Sequence, residues 1–318
     1  MHQIIFRPIL AGVSILHMTK ISVVIASSNA RLSIVECLDA VRATCASHDA
    51  EVIVVDNSSD GTADCVAERN PQLTLVRAPE LKLIPHLWEA GIRLARGEVI
   101  AITTAHFIPE PNWVESILES HREPYAGIGG AIENKPDGGA VSWAIYFCRY
   151  SAYMLPLQQK RVEDFAADNA SYKAAALHAY RVMRENGFWE AEIHARMRAD
   201  GMELLLTPRV LVWHRKSFSF RAFTVQRFVH GRLYGAQRAS RWSPVQRVLR
   251  IGASPLIPLV LLGRIASRLM KRRRHAASFL KALPALSAFL LSWTAGELMG
   301  YLARAPAQIP TGRSRAPR

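Results

Sequence analysis

The sequence predicts an α/β fold with a Rossmann-like, mostly parallel sheet, followed by a basic, helical C-terminal region. In the first two hundred residues, short apolar runs rich in β-branched residues alternate with helical patterns, which is typical of βαβ units. Clusters of polar turn residues follow several of these runs. The charge is also divided: residues 1–206 contain 19 Lys and Arg against 25 Asp and Glu, whereas residues 207–318 contain 21 against one.

The apolar runs indicate where the individual strands and helices lie in the sequence. Runs such as ISVVIA and EVIVV predict buried parallel strands, and each is followed by a segment with helical spacing. From 129 to 166 the pattern is weaker. We expect strands at 21–26, 51–55, 73–76, 99–103, 203–206 and 210–213, and helices at 32–44, 62–69, 84–95, 109–121, 141–154 and 190–199.

The cysteines exclude some kinds of site, and the two chain ends indicate where the α/β domain and the basic region begin and end. None of the four cysteines forms a CxxC pair, which argues against a zinc or thioredoxin-like site. Residues 1–18 are predicted to be an N-terminal extension rather than a signal peptide, because polar residues interrupt their apolar pattern. The tail 305–318, with three Pro and three Arg, is expected to be disordered. This leaves an α/β domain at 19–215 and a basic helical region at 216–304.

The basic region predicts contact with a polyanion, either a nucleic acid or an anionic lipid surface. Its apolar runs 251–263 and 282–296 flank the basic segment 271–275, and both are shorter than the roughly 20 residues of a membrane span. We expect a membrane-associated, interfacial hairpin at the cytoplasmic face of the cell membrane, with its basic turn at anionic headgroups. A helical subdomain packed on the α/β domain is the alternative. No nucleic-acid partner is expected, because neither stacking aromatics nor a known module is apparent.

A dense polar cluster, DNSSDGT, follows the second predicted strand and precedes a helix. The carboxylate of Asp56 can accept hydrogen bonds from a ring N–H or a ribose hydroxyl. The helix N-terminus beyond it favours a nearby anion. A capped βα turn, which any Rossmann-like domain needs, explains the same residues, so both interpretations stay open on this motif alone.

The order of four segments resembles a family 2 glycosyltransferase with a GT-A fold: SVVIA with Asn29, then EVIVVDNSSDGT, AGIRLARGEVIA and IPEPNW. With the features described below, the resemblance covers about residues 20–215. It implies a nucleotide-diphosphate sugar as donor, with Asp56 on the base. It also places further polar residues beside the nucleotide: Asn29, Asn57, Ser58 and Asp60.

One departure from the family concerns the metal. Where the family usually carries a DxD-type acidic cluster that holds a divalent cation, this sequence has Thr104-Ala105-His106. The resemblance places Thr104 and His106 at the diphosphate, with His106 as the one candidate ligand for Mn²⁺ or Mg²⁺. These ions prefer oxygen ligands, so basic side chains or helix N-termini could balance the diphosphate instead. Metal dependence stays open.

The family's general base is an Asp in an "ED" pair at the start of a helix. Alignment on Arg196 and Gly201 puts Glu190 at that Asp, and Glu192 is the alternative. A base is needed because a sugar hydroxyl is a poor nucleophile until its proton is removed. Further family positions are the loop Asp168-Asn169, at the donor sugar or acceptor, and His214, near the diphosphate. The simpler interpretations are an Asx turn and a surface histidine.

Together these features predict an inverting glycosyltransferase that moves a sugar from a nucleotide-diphosphate donor to a lipid or cell-envelope polysaccharide acceptor. The missing acids suggest an alternative from another class, a non-catalytic, degenerate relative that binds a nucleotide at the membrane.

Overall fold

The computed structural model describes residues 19–215, 218–240 and 242–303. The predicted N-terminal extension and disordered tail lie outside the described residues. Nine strands of the described chain form one sheet: β1 (Ile21–Ser27), β2 (Ala50–Asp56), β3 (Thr74–Arg77), β4 (Val99–Thr104), β5 (Phe107–Pro109), β6 (Gly127–Asn134), β7 (Lys160–Val162), β8 (Asn169–Lys173) and β9 (Leu204–His214).

Helices cover both faces of this sheet. In the α/β domain they are α1 (Ile34–Cys45), α2 (Thr62–Arg69), α3 (Ile84–Leu94), α4 (Trp113–Ser120), α5 (Ala140–Tyr150), α6 (Ala174–Ala179) and α7 (Glu190–Ala199). Val23 and Ile25 of β1 are buried against α1, α4 and α5, whereas Val24 is buried against α3. Apolar residues on both faces of a strand are what helix-covered parallel sheets require.

The predicted Rossmann-like, mostly parallel sheet is confirmed for its first half. β1 lies between β2 and β4 and is parallel to both, and β3 extends the parallel set. Beyond β4 the order continues β8-β6-β9-β5, with β7 beside β9. β8 is antiparallel to both β4 and β6, so the sheet is mixed.

Several predicted boundaries are wrong in the second half. The two strands expected at 203–206 and 210–213 are one strand, β9, because its register on β6 shifts between Gly130 and Ala131. Residues 208–210 have no partner on β6 there, which accommodates Pro208 without a lost ladder bond. β5 stands where the fourth helix was expected to start, and the pattern did not predict β6, β7 and β8.

The C-terminal region is helical, as predicted, and comprises α8 (Phe220–Ala239), α9 (Pro244–Ala253), α10 (Ile257–Arg272) and α11 (Ala276–Leu302). α8 and α11 approach at backbone distance: a Cβ on Gly296 would overlap the carbonyl oxygen of Phe228, and one on Gly235 that of Glu297. The Phe279 ring of α11 also packs 5.7 Å from Phe147 of α5. α8 and α11 therefore form a subdomain packed on the α/β domain, which was the alternative interpretation.

Three side chains of the basic turn between α10 and α11 contact the α/β domain, and the expected contact of the turn with headgroups stays a prediction. Arg272 donates to the Ser151 carbonyl at 2.5 Å, and Arg274 donates to Glu133 at 2.8 Å. His275 stacks on Trp143 with ring centroids 4.7 Å apart. These side chains hold the turn on the α/β domain.

Two described stretches, Pro244–Arg272 and Ala276–Leu302, are long and apolar enough to cross a membrane by length and composition. A core helix of a soluble protein meets the same criterion, and α11 is packed on α5 and α8. The stretches therefore suggest membrane association only weakly.

Candidate active site

The carboxyl ends of the parallel strands bring the predicted site residues to one edge of the sheet. Ser27 at the end of β1 is in register with Asp56 at the end of β2, and Ala26 is in register with Thr104 at the end of β4. Thr104 and Asp56 are both buried. Ligands of open α/β sheets bind at this edge.

Two interlocked loops shape the nucleotide side of the edge. The Asn29 N–H donates to Ser58 Oγ at 2.7 Å, and the Ser59 N–H donates to Asn29 Oδ1 at 3.1 Å. Asp60 accepts from the Thr62 hydroxyl at 2.5 Å and from the Arg31 N–H at 3.2 Å. Asp60 therefore fulfils the turn-capping role that was its simpler interpretation.

Asp56 is fixed but retains capacity to accept further bonds. Its carboxylate accepts from the Ser58 hydroxyl at 2.6 Å and the Ser58 N–H at 3.0 Å. An ionised carboxylate has about four acceptor sites, so a base or ribose could use the others. Asn57 donates to the Leu81 carbonyl at 2.5 Å, which ties the loop to the segment before α3.

His106 and His214 lie on the side of the β4 end that is opposite to the loop after β2. His106 Nδ1 is 3.1 Å from Ser33 Oγ, and His214 Nδ1 is 2.9 Å from Asn134 Oδ1. Burial and the charge of Arg149 lower the pKa of His106 to about 4. Burial, His106 and Arg149 together lower the pKa of His214. Both imidazoles are therefore neutral at pH 7, and His214 is buried rather than a surface histidine.

Asp168 lies between β4 and α5. Its backbone carbonyl accepts from the Thr103 hydroxyl at 2.8 Å, and its carboxylate is 3.4 Å from Arg149 Nη2. The guanidinium carbon of Arg149 is also 5.0 Å from the Tyr150 ring, which in turn packs 5.4 Å from His214. Arg149 thus lies between Asp168 and the pair of Tyr150 and His214.

Asn169, although adjacent in sequence, has a structural role. Its side-chain amide donates to the carbonyls of Ala131 and Val210 at 2.9 and 3.0 Å and accepts from Trp113 Nε1 at 2.9 Å. These bonds span the irregularity between β6 and β9, and the side chain is fully buried. These internal bonds explain the burial of Asn169 without a substrate, and its expected role in donor or acceptor binding stays a prediction.

Glu190 is the first residue of α7 and is partly buried. Burial raises the pKa of its carboxyl to about 7, and the charges of Asp168 and Asp164 add to this effect while Arg149 opposes it. A pKa near the working pH suits a general base. Glu192, on the same helical turn, is exposed.

A chain of hydrogen bonds through the buried His194 positions the helix that carries Glu190. His194, one turn later on α7, has Nδ1 at 2.5 Å from Asp164 Oδ1 and Nε2 at 2.7 Å from the Tyr172 hydroxyl. Tyr172 lies on β8, so the chain fixes α7 against the sheet beside Asp168.

With this geometry established, comparison with known proteins assigns the family. The sequence model of Glycosyl transferase family 2 matches residues 22–183, just over half of the chain. The chain belongs to glycosyltransferase family 2. The predicted family and enzyme class are thereby confirmed.

Two solved structures are similar to this family 2 glycosyltransferase. The mannosyltransferase PcManGT from Pyrobaculum calidifontis, in complex with GDP-Man and Mn2+, has 19% sequence identity and a TM-score of 0.53, covering 88% of this chain and 87% of that one. A mycobacterial protein has 14% identity and a TM-score of 0.45, covering 67% and 73%. The first similarity confirms the GT-A fold. A comparison with curated protein sequences gave no match.

The donor set of this glycosyltransferase does not fit a protein-held divalent cation. Within the described ranges, no group of three or more His, Cys, Asp and Glu side chains could hold a metal. Thr104 offers only a neutral hydroxyl, and His106 offers a nitrogen where Mg²⁺ and Mn²⁺ favour oxygen.

Sequence reasoning missed two groups in this glycosyltransferase. Arg149 lies at the end of a helix in the weakly patterned stretch, and no motif marks it. The pair Asp164 and His194 is separated by 30 residues, so only the fold brings these two side chains together.

Proposed function

We propose that this glycosyltransferase is an inverting enzyme that uses a nucleotide-diphosphate sugar as donor. The similar mannosyltransferase structure holds GDP-Man, and Asp56 here has acceptor sites free for a base or ribose. The strand-end edge can take the diphosphate near Thr104 and His106, with His214 behind them.

The carboxyl of Glu190 is the observation that carries the proposal. Its pKa of about 7 leaves an ionised fraction at neutral pH that can take the proton of an acceptor hydroxyl. The freed oxygen attacks the anomeric carbon as the bond to the diphosphate oxygen breaks, so the configuration inverts. Glu192 is the weaker candidate because it is exposed on the same turn.

We further propose a lipid or cell-envelope polysaccharide acceptor reached at the cytoplasmic face of the membrane. The support is α9, in which no residue is buried and the side chains of Val245, Val248 and Leu249 are 67–69% exposed. Arg250 lies on the same helix. A helix that combines exposed apolar and basic residues suits an anionic membrane surface.

The test of function is a donor screen with detergent-solubilised full-length protein. We expect sugar transfer from one nucleotide-diphosphate donor, loss of transfer in Glu190→Gln, and retained transfer in the matched control Glu192→Gln. Binding of donor without transfer, under conditions that include lipid acceptors, would favour the alternative of a non-catalytic relative. Failure to bind uridine or guanosine diphosphate at millimolar concentration would refute both.

The membrane proposal has its own test. Co-sedimentation of the full chain with vesicles of anionic phospholipid should exceed that with phosphatidylcholine vesicles, and Leu249→Glu should reduce it. The matched control is Leu94→Glu, at an exposed leucine of the α/β domain. Equal loss in both variants, or no preference for anionic vesicles, would contradict the proposed surface.

A further inference from the structure

Arg227, on α8, is a guanidinium held over aromatic rings without an anionic partner. Its guanidinium carbon is 4.8 Å from the Phe223 ring and 5.5 Å from the Trp293 ring. Its Nη2 is 3.2 Å from both Gln226 Oε1 and His230 Nδ1, and its buried Nε has no hydrogen-bond partner. Within the described chain, no carboxylate lies within ion-pair distance of Arg227. A partly buried charge without a counter-ion, with an unpaired buried N–H, is costly.

The segment that precedes this arginine approaches the strand-end edge of the α/β domain. The His106 ring is 6.5 Å from Phe218, and Phe218 is 5.8 Å from Phe223, so the start of α8 borders the end of β4. Burial and the charge of Arg149 lower the pKa of Arg227 to about 10. The charge of Arg149, in the catalytic domain, therefore acts on Arg227, in the C-terminal region.

The charges around the two arginines do not balance. Among the described residues, Asp168 is the carboxylate that lies within ion-pair distance of Arg149, at 3.4 Å. The carboxyl of Glu190 also acts on Arg149, at longer range. His106 and His214 are neutral for the reasons given above, and Tyr150 keeps its proton because burial raises its pKa. An additional anion would give Arg227 the counter-ion that it lacks among the described residues.

We propose that Arg149 and Arg227, beside His106, bind a phosphate group of a substrate, and that α8 thereby completes the active site. The inference rests on the proposed function for the identity of the substrate. The phosphate belongs either to the diphosphate of the donor or to a phosphorylated lipid acceptor. Two guanidinium groups supply the positive charge that a cation held by acids at Thr104–His106 would otherwise supply, and planar guanidinium groups suit phosphate oxygens.

The test measures binding of pyrophosphate, guanosine diphosphate and uridine diphosphate to the full chain in EDTA, by calorimetry. We expect Arg227→Gln to weaken pyrophosphate binding at least tenfold and Arg227→Lys to weaken it less, because Lys keeps the charge but loses the fork. Arg232→Gln, an exposed arginine of the same helix, is the matched control and should change binding less than twofold. Thermal unfolding shows whether each variant is folded, and pyrophosphate should raise the Tm of the native protein but not of Arg227→Gln.

The two phosphate sources give different results. If the donor supplies the phosphate, nucleotide diphosphate binding falls as much as pyrophosphate binding in Arg227→Gln. If a lipid supplies it, nucleotide binding is unchanged, and binding to phosphatidylcholine vesicles containing a polyprenyl phosphate falls. A folded Arg227→Gln that binds all of these ligands like the native protein would overturn the inference, even where Glu190-dependent transfer proves the proposed function. Conversely, Arg227-dependent phosphate binding without any transfer would leave this inference standing and refute the enzyme's proposed reaction.

Discussion

Arg149 Nη2 lies 3.4 Å from Asp168 Oδ2, and this pair joins the end of α5 to the start of β8 beside the proposed base. The two side chains act in opposite directions on Glu190: Asp168 raises the pKa of its carboxyl, and Arg149 lowers it. The ion pair therefore adjusts the proton affinity, raised mainly by burial, of the group that is proposed to activate the acceptor.

Asp168→Asn should shift the acid limb of the pH profile of kcat/KM to lower pH. The change removes a negative neighbour and frees Arg149, and both effects favour the ionised form of Glu190. The shift should be roughly one pH unit, a common size for one neighbouring charge. In the native protein the limb should lie near pH 7, where Glu190 loses its proton.

A control for this shift is Asp64→Asn, which removes an exposed carboxylate of α2 that pairs with Arg77 away from Glu190. Its acid limb should coincide with that of the native protein. An acid limb that moves to higher pH in Asp168→Asn would show that another group controls the profile.

Glu190→Gln should abolish transfer and stabilise the protein at alkaline pH. In the folded state the carboxyl keeps its proton up to about pH 7, whereas in the unfolded chain it ionises at its ordinary, lower pKa. Folding stability therefore falls as pH rises between these two values. The amide cannot ionise, so the variant should gain about 1–3 kcal/mol in unfolding free energy at pH 8 and little at pH 4.

Denaturant unfolding of the full chain at both pH values measures this gain. Glu192→Gln, at the exposed neighbour, should leave the difference between pH 4 and pH 8 unchanged. A Glu190→Gln protein that is less stable than native at pH 8 would mean that the ionised carboxylate stabilises the fold, contrary to its raised pKa.

The parallel half of the fold and its strand-end residues were predictable because the signals are local. Short β-branched runs followed by turn clusters fix β1, β2 and β4 within a residue or two, and register then brings Asp56 and Thr104 to one edge. β8 and β6 escaped prediction because their small and polar residues lack the apolar pattern. Asn169, for example, is buried because its amide bridges two carbonyls.

The rest of the site depends on contacts between distant segments. Arg149 and Arg227 are 78 positions apart, and neither lies in a motif, so only the packing of α11 against both α8 and α5 relates them. The contacts of the basic turn could not be predicted for a similar reason. Charge alone predicts a lipid surface, whereas Arg274 also has a buried partner, Glu133, that no sequence pattern identifies.

Glu133→Gln should loosen the turn between α10 and α11. Glu133 is 1% exposed and lies 2.8 Å from Arg274, so the variant weakens an ion pair whose acid is buried. Since Arg274 is 38% exposed and partly solvated, we expect a loss of about 1–2 kcal/mol, less than for a fully buried pair. Trypsin cleavage at 271–274 should become faster.

Glu115→Gln, at an exposed position of α4, is the matched control for this variant and should be cleaved like the native protein. Unchanged cleavage in Glu133→Gln would indicate that the bonds from Arg272 to the backbone of Ser151 and Ala152 suffice to hold the turn.

The last prediction separates a metal-held diphosphate from an arginine-held one. If Arg149 and Arg227 balance the phosphate charge, His106→Ala removes only a neutral hydrogen-bonding group. Donor affinity should then fall roughly fivefold, the worth of about one hydrogen bond, and by the same factor in EDTA and in Mn²⁺. Restoring acids with the double change Thr104→Asp and His106→Asp should lower donor binding further, because two carboxylates would repel a diphosphate. A loss in His106→Ala that occurs only with Mn²⁺, or a Mg²⁺-dependent gain in the double variant, would instead show that a cation held at the end of β4 carries the charge. Calorimetry of donor binding with and without each ion distinguishes the two outcomes without requiring that the acceptor be known.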